Sequence, residues 1–231
     1  MKAFLLAAGI GTRLRPLTDQ MPKCLIPIGD KPLLEIWFEQ LEKLGITEVR
    51  VNTHHLAEQV AAFVSARAPS SLRISLFHEP VLLGSAGTIR ANRDWLRNEP
   101  DFLIIYADNL ADVNLADFVH FHRTRQAEFT MALFRAANPR ECGIVVRDET
   151  GRVVEFQEKP AHPKSPWANA GLYMAGPTLF DAIPDRLGLC DFGFDVLPRL
   201  MGRMYAFPLA GFYCDIGTVE RLEYARRLWR K

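Results

Sequence analysis

The chain has 231 residues, 48% apolar and 24% charged, with 15 Gly and 15 Pro; this excludes long disorder, collagen-like repeats and coiled coil, and fits one globular domain or two small ones. Lys+Arg 28 against Asp+Glu 27 leave a formal charge of +1, too little to hold a nucleic-acid backbone or an anionic membrane, so any anion must be bound locally. A chain of this length buries roughly 70% of its unfolded surface and needs no metal or disulfide staple.

Cys24, Cys142, Cys190 and Cys214 are scattered without a C-x-x-C pair, so neither a zinc site nor a disulfide framework is indicated and a reducing, cytoplasmic compartment is expected. The apolar start from Met1 is interrupted by Gly9 and Arg13, far short of the roughly 18 residues of a membrane span. It reads as a buried strand.

In chain order, Lys2 to Ala8 reads as a strand, Leu33 to Leu44 as an amphipathic helix ending at Gly45, and Glu48 to Asn52 as the next strand. Leu56 to Ala66 is helical, Arg73 to His78 a strand, Thr88 to Leu96 a helix, and Phe102 to Tyr106 a continuous apolar strand. This alternation predicts a mostly parallel sheet with helices on both faces, a Rossmann-like three-layer αβα arrangement. After the helix Leu115 to Thr124 the pattern changes. Phe129 to Phe134, Ile144 to Arg147 and Arg152 to Phe156 are strand-like, the last two joined by the turn Asp148 to Gly151. Trp167 to Met174 follows as a strand, Phe194 to Met201 as a helix, Tyr205 to Tyr213 as an edge or bent strand, and Val219 to Trp229 as a closing helix. With no linker and no repeat, residues 1–231 are expected to form one domain with two lobes, about 1–110 and 111–231.

Gly9-Ile10-Gly11-Thr12-Arg13-Leu14 leaves the first strand, where a doubly wound sheet places its ligand crevice. It is not a dinucleotide fingerprint: position six is Leu14, and Pro16 stands where the helix should begin. No Gly-Lys-Ser/Thr occurs, so it is not a Walker loop either. What remains is a long loop with two glycines, a hydroxyl and two arginines, followed by Pro22-Lys23; glycines let backbone N–H groups approach phosphate oxygens that arginine and lysine neutralise. The plain alternative is a glycine turn with solvated basic residues.

Leu6 to Thr18, with Pro22-Lys23 and Pro27, resembles the signature of the sugar-1-phosphate nucleotidyltransferases. The resemblance implies that the loop, through Leu6, Ala8, Gly9, Gly11 and Thr12, wraps a nucleoside triphosphate, and that Arg13 and Lys23 are catalytic. Leu83 to Thr88 resembles the family's Leu-Gly-Thr-Ala-Gly segment, which implies that Gly84 and Gly87 lie against the nucleobase, where small residues suit a flat ring. Asp108, after Ala107 where the family has glycine, and Asp215, in Cys214-Asp215-Ile216-Gly217-Thr218, match the family's two metal-binding aspartates. Two hard carboxylates with phosphate oxygens suit Mg²⁺.

Glu158-Lys159-Pro160 resembles the family's Glu-Lys-Pro, which implies sugar hydroxyls for Glu158 and the sugar phosphate for Lys159; Asn169-Ala170-Gly171 and Gly143 match further sugar-binding positions, with Cys142 in place of a frequent aromatic residue. Phe192 to Pro198 matches a Phe-x-x-Asp-Val-x-Pro segment read as packing near the sugar. The resemblance covers Lys2 to about Glu223 and implies a catalytic core without the C-terminal β-helix domain of many relatives. Its partners would be a nucleoside triphosphate and a sugar 1-phosphate, with no nucleic acid and no membrane; self-association is left open.

Glu79 ends its strand where uridine- and thymidine-using relatives often carry glutamine. A carboxylate only accepts, which suits the adjacent N1–H and 2-amino donors of guanine. Together with Leu-Gly-Ser-Ala-Gly, this makes the chain most similar to the mannose-1-phosphate guanylyltransferase branch. The alternatives are a uridylyl- or thymidylyltransferase acting on another hexose 1-phosphate and a non-catalytic nucleotide-sugar-binding relative; a dinucleotide oxidoreductase is argued against by the missing third glycine. His120 and His122 point to different helix faces and make no metal pair. His54 and His55 read as loop or packing residues, His78 as a half-buried strand residue, and the basic end Arg226 to Lys231 as a solvated helix terminus.

Overall fold

The computed structural model describes residues 1–229; Arg230 and Lys231, the end of the basic run, lie outside the described residues. The chain divides into two compact units and crosses between them at four points. One unit holds residues 1–82, 105–115 and the chain from Gly211 onward, and the other holds 83–104 and 116–210. The sequence reading places a single boundary near residue 110; the units interleave instead, because the strand Tyr213–Asp215 returns to pair with Asn109–Ala111.

In the first unit, Lys2–Leu6, Glu48–Thr53 and Arg73–His78 lie parallel in that order, with Leu5 opposite Val51 and Thr53 opposite His78. The helices Leu33–Lys43 and Ala57–Ala66 make the crossovers that parallel pairing requires. Leu33–Lys43 buries Leu33, Leu34, Ile36, Trp37, Phe38 and Leu41, a spacing that sets one apolar stripe along the helix. Gly45 follows with φ of 83°, the left-handed conformation that glycine adopts without penalty at a helix end. The α/β class and the parallel run of strands expected from the alternating pattern are present. Trp37 Nε1 donates to the Asn109 carbonyl at 2.9 Å, tying this helix to the strand that follows Asp108.

In the second unit, Trp167–Ala175 pairs antiparallel with Phe129–Arg135, and Met204–Pro208 pairs parallel with the other edge of that strand. Gly143–Arg147 and Val153–Glu158 form the expected hairpin, with Glu158 opposite Gly143. Asp148 Oδ1 closes the turn by accepting from the N–H groups of Thr150 and Arg152 and from the Thr150 hydroxyl. Phe129, Tyr173 and Phe192 pack in the core with centroids 5.1 to 6.4 Å apart.

Three expected elements are broken. The helix expected over 88–96 is two, Ser85–Ala91 and Arg93–Leu96, because Asn92 turns its amide back onto the Thr88 carbonyl. Phe192–Val196 and Leu197–Leu200 replace one helix over 194–201; Pro198 cannot continue an α-helical ladder. The strand expected over 205–213 ends at Pro208 and resumes at Tyr213. Among the described residues no helix is long and apolar enough to cross a membrane.

Candidate active site

The first strand delivers the chain into a loop fixed by its own residues and by neighbours. Gly11 has φ of 69°, and a Cβ there would lie 2.9 Å from the Thr18 methyl, so conformation and space both require glycine. Thr18 Oγ1 donates to the Gly11 carbonyl at 2.8 Å, and the Thr18 carbonyl accepts from His55 Nε2 at 2.7 Å. Gln59 Nε2 reaches the Gln20 carbonyl. His55 therefore holds the glycine loop, whereas His54 Nδ1 donates to the Glu79 carbonyl at 2.7 Å. His78 is exposed and lines a cavity of about 690 Å³ with Thr53, His54, Leu56 and Leu76.

Lys23 follows this loop and is buried. Its ammonium donates to Asp108 Oδ2 at 2.7 Å and lies 3.7 Å from Asp215 Oδ1. The two aspartates, 107 positions apart in sequence, converge because Asp215 pairs in register with Asn109, the residue after Asp108. Arg221, unnoticed in the sequence, donates to Asp215 Oδ2 at 3.0 Å from the first turn of the last helix. A Cβ on Gly217 would lie 2.7 Å from the Arg13 guanidinium and 2.9 Å from Asp215 Oδ1, so Gly217 makes room for both side chains. Arg13, Lys23, Arg221, Asp108 and Asp215 thus form one cluster carrying three positive and two negative formal charges. The thiols beside it are poor nucleophiles, since burial pushes Cys24 up to about 12 and Cys214 up to about 11.

Among the described residues no group of three or more His, Cys, Asp or Glu converges on one point. Two carboxylates near one another are a poor cage by themselves but a suitable set for a hard cation that keeps waters and takes phosphate oxygens, so the donors fit Mg²⁺. Such an ion would share these two carboxylates with the Lys23 ammonium.

Glu79, read from sequence as a base reader, is 1% exposed, and its Oε1 accepts from Asn52 Nδ2 at 2.8 Å. One of the two oxygens that bidentate pairing with guanine would use is therefore already engaged.

In the second unit, Leu83 to Gly87 is stapled to the segment around Cys190. The Cys190 carbonyl accepts from the N–H groups of Ala86 and Gly87 at 2.9 Å, and Ser85 donates to Asp191 through N–H and hydroxyl. Gly84 has φ of 77°, and a Cβ there would come within 2.6 Å of the Cys190 carbonyl oxygen. The smallness that the sequence reading reserved for a flat ring is thus required by protein backbone at Gly84.

Glu158 is half-buried beside two glycines: its Oε2 lies 2.7 Å from where a Cβ would stand on either Gly143 or Gly193. Gly143 is legible as a sugar-site glycine, and Gly193 lies in the segment Phe192 to Pro198 expected to pack near the sugar, but its contact with Glu158, 35 positions away, is not foreseen from sequence. Lys159 carries φ of 47°, costly for a residue with a side chain, and its N–H donates to the Cys142 carbonyl at 3.0 Å. Asn169 spends its amide inside its own strand, on the Tyr173 hydroxyl at 2.7 Å and the Gly171 N–H at 2.9 Å. His122 is buried against Thr130 and Asp101, and His120 touches Thr124, so the two histidines serve separate contacts.

Burial raises the Glu158 carboxyl above the usual carboxylate range, with Lys159 opposing and Asp191 adding to the rise. A raised value means that the folded chain binds this proton more tightly than the unfolded chain does. Its contribution to stability is full below the unfolded value and is lost as pH rises through the folded one. Glu158→Gln should therefore melt higher than the parent at about pH 7, with the gain shrinking toward about pH 4. A parent more stable than the variant at neutral pH would show that this carboxylate is not held at a cost.

The sequence profile of the Nucleotidyl transferase family matches residues 2–230. The chain belongs to that family. The Dictyostelium discoideum mannose-1-phosphate guanylyltransferase catalytic subunit beta is 31% identical over 221 residues, covering 94% of this chain and 61% of that protein. A glucose-1-phosphate thymidylyltransferase of Streptomyces griseus is 34% identical over 242 residues, 99% of this chain and 66% of that one. The chain thus spans about three-fifths to two-thirds of these relatives. In fold, this chain is similar to HddC from Yersinia pseudotuberculosis in complex with GMP-PN, with a TM-score of 0.83, 22% identity and 99% of each chain covered.

Proposed function

We propose that this chain transfers a nucleotidyl group from a nucleoside triphosphate to a sugar 1-phosphate, releasing pyrophosphate. The observation that carries this reading is the buried Lys23 ammonium between Asp108 and Asp215, at the exit of a glycine loop, in a chain of the nucleotidyl transferase family. A phosphate oxygen of the sugar 1-phosphate forms a bond to the α-phosphorus as the bond from that phosphorus to the bridging oxygen of the β-phosphate breaks, and pyrophosphate leaves with the electron pair. The nucleophile is already an anion at neutral pH, so neither a general base nor a covalent intermediate is needed. The difficulty is to bring two anions together, which positioning and fixed positive charge relieve.

Within the first unit, Arg13 and Lys23 supply that charge to the triphosphate, and Arg221 adds a third cation through Asp215. The glycine loop, through Leu6, Ala8, Gly9, Gly11 and Thr12, offers backbone N–H groups to phosphate oxygens. Asp108 and Asp215 would hold Mg²⁺, which when bound adds charge neutralisation at the phosphates. Glu158 and Gly143 are assigned to sugar hydroxyls. A half-buried carboxylate raised by burial, with no hydrogen bond among the described residues lowering it, is suited to accept from a ligand. Lys159 is assigned to the sugar phosphate, and its left-handed backbone supports a role beyond packing. Asn169 is assigned to shaping that pocket through its strand.

For the substrates we propose GTP and mannose 1-phosphate, on the similarity to the Dictyostelium guanylyltransferase; the Streptomyces thymidylyltransferase at 34% identity makes a thymidylyl or uridylyl donor the second reading. A panel of four NTPs against several hexose 1-phosphates, read by pyrophosphate release, tests both. The expected result is highest kcat/KM for GTP with mannose 1-phosphate. A preference for UTP or dTTP would replace the substrate assignment, and absence of turnover with every pair would leave a nucleotide-sugar-binding protein.

A further inference from the structure

Three residues of the first unit are joined by hydrogen bonds that run from the glycine loop to the end of the third parallel strand. The Ala7 N–H, just past the first strand, donates to Asn52 Oδ1 at 2.6 Å. Asn52 Nδ2 in turn donates to Glu79 Oε1 at 2.8 Å. A backbone N–H only donates, so the amide oxygen must face Ala7, and the amide nitrogen is thereby left to face Glu79. Asn52 is 4% exposed, so this polarity is enforced where water cannot substitute for either partner. Glu79 is itself fixed at both ends of its backbone: its N–H donates to the Thr53 carbonyl at 2.8 Å, and its carbonyl accepts from His54 at 2.7 Å.

We propose that Asn52, oriented by Glu79, is a positioning residue for the nucleotide loop. It holds the backbone at Ala7, two residues before Gly9, and so fixes the direction in which the chain enters the turn whose N–H groups face the triphosphate. The proposal rests on the reading of this loop as the triphosphate site. It separates Glu79 from base choice. A residue that reads the base changes the ratio between two triphosphates, whereas a support for the loop weakens both alike.

The test is pyrophosphate release by the purified chain with GTP and UTP, giving kcat, KM for each triphosphate and KM for mannose 1-phosphate, alongside thermal melts. Asn52→Asp sets a second carboxylate against Glu79 and should raise both triphosphate KM values. The exchanged pair Asn52→Asp with Glu79→Gln reverses the middle bond: the new glutamine amide donates to the new aspartate, which still accepts from Ala7. It should return both KM values to within about threefold of the parent. The apolar pair Asn52→Leu with Glu79→Leu removes the hold on Ala7 without burying an unpaired charge, and should raise both by about tenfold, the equivalent of one buried hydrogen bond. KM for mannose 1-phosphate should stay within about twofold throughout.

Parental triphosphate KM values in a folded apolar pair would overturn the proposal, as would failure of the exchanged pair to restore a weakened Asn52→Asp. A GTP to UTP ratio shifted more than about fivefold in either folded pair would return Glu79 to base reading. If the parent chain releases no pyrophosphate from any triphosphate, it is the nucleotidyltransferase reading that fails, and the positioning role falls with it.

Discussion

Lys23→Ala should lower kcat/KM by about 10²-fold or more, with the loss appearing against the nucleoside triphosphate, as when other preorganised charge stabilisers are removed. The Lys23 ammonium is largely withdrawn from water and stands 2.7 Å from Asp108 and 3.7 Å from Asp215, so its charge acts through a medium that screens poorly. Breaking a fully buried ion pair costs roughly 3–5 kcal/mol, because the abandoned partner stays charged and dry. Here the Asp108 and Asp215 side chains are 37% and 30% exposed, so water screens what remains and the stability loss is smaller. The variant should fold, as a melt would show, and its kinetics should be readable. Lys159→Ala should instead weaken the sugar 1-phosphate. Should both variants weaken one and the same substrate, the division of labour between the lysines is wrong.

The parts of the fold that were legible in the sequence are those set by local period. Continuous apolar runs such as Phe102 to Tyr106 give buried strands, the stripe from Leu33 to Leu41 gives a crossover helix, and glycine after the first strand marks the loop. Errors fell where one side chain overrode the period, as Asn92 and Pro198 did. Within the candidate site, Lys23 was legible as a cation following a glycine loop, and Asp108 and Asp215 only as motif matches. Their convergence depends on the register of Tyr213–Asp215 against Asn109–Ala111, a pairing across more than a hundred residues that no local pattern encodes. Arg221 was illegible for the same reason: one arginine among several on a helix, its role set by the carboxylate it meets. Gly193 and the Cys190 backbone are long-range as well, and each gives a glycine a steric purpose that sequence could only guess at. Asn52 gave little signal, since it continues the alternating polar positions Glu48 and Arg50 of its strand, yet it is 4% exposed and a buried amide must find partners.

Asp108→Asn and Asp215→Asn should each lose most of kcat, by about 10²-fold or more, while the fold stays intact. Asparagine keeps the shape and one acceptor oxygen of aspartate and removes its charge, so a lost rate reports charge rather than packing. The two positions differ in what the change releases. At Asp108 it removes the closest counter-charge of Lys23, whereas at Asp215 it also frees Arg221, which holds Oδ2 at 3.0 Å. Two accounts predict slow variants, and the Mg²⁺ dependence separates them. If the carboxylates serve only to anchor Lys23 and Arg221, each variant binds the triphosphate more weakly but reaches half its maximal rate at the parental Mg²⁺ concentration. If they also hold the metal, that concentration rises in both variants, and by similar factors, since each contributes one hard oxygen donor to one ion. Near-parental rates with Mg²⁺ in either variant would end the metal assignment, and an unshifted Mg²⁺ requirement in both would leave the pair as the anchor of the cationic cluster alone.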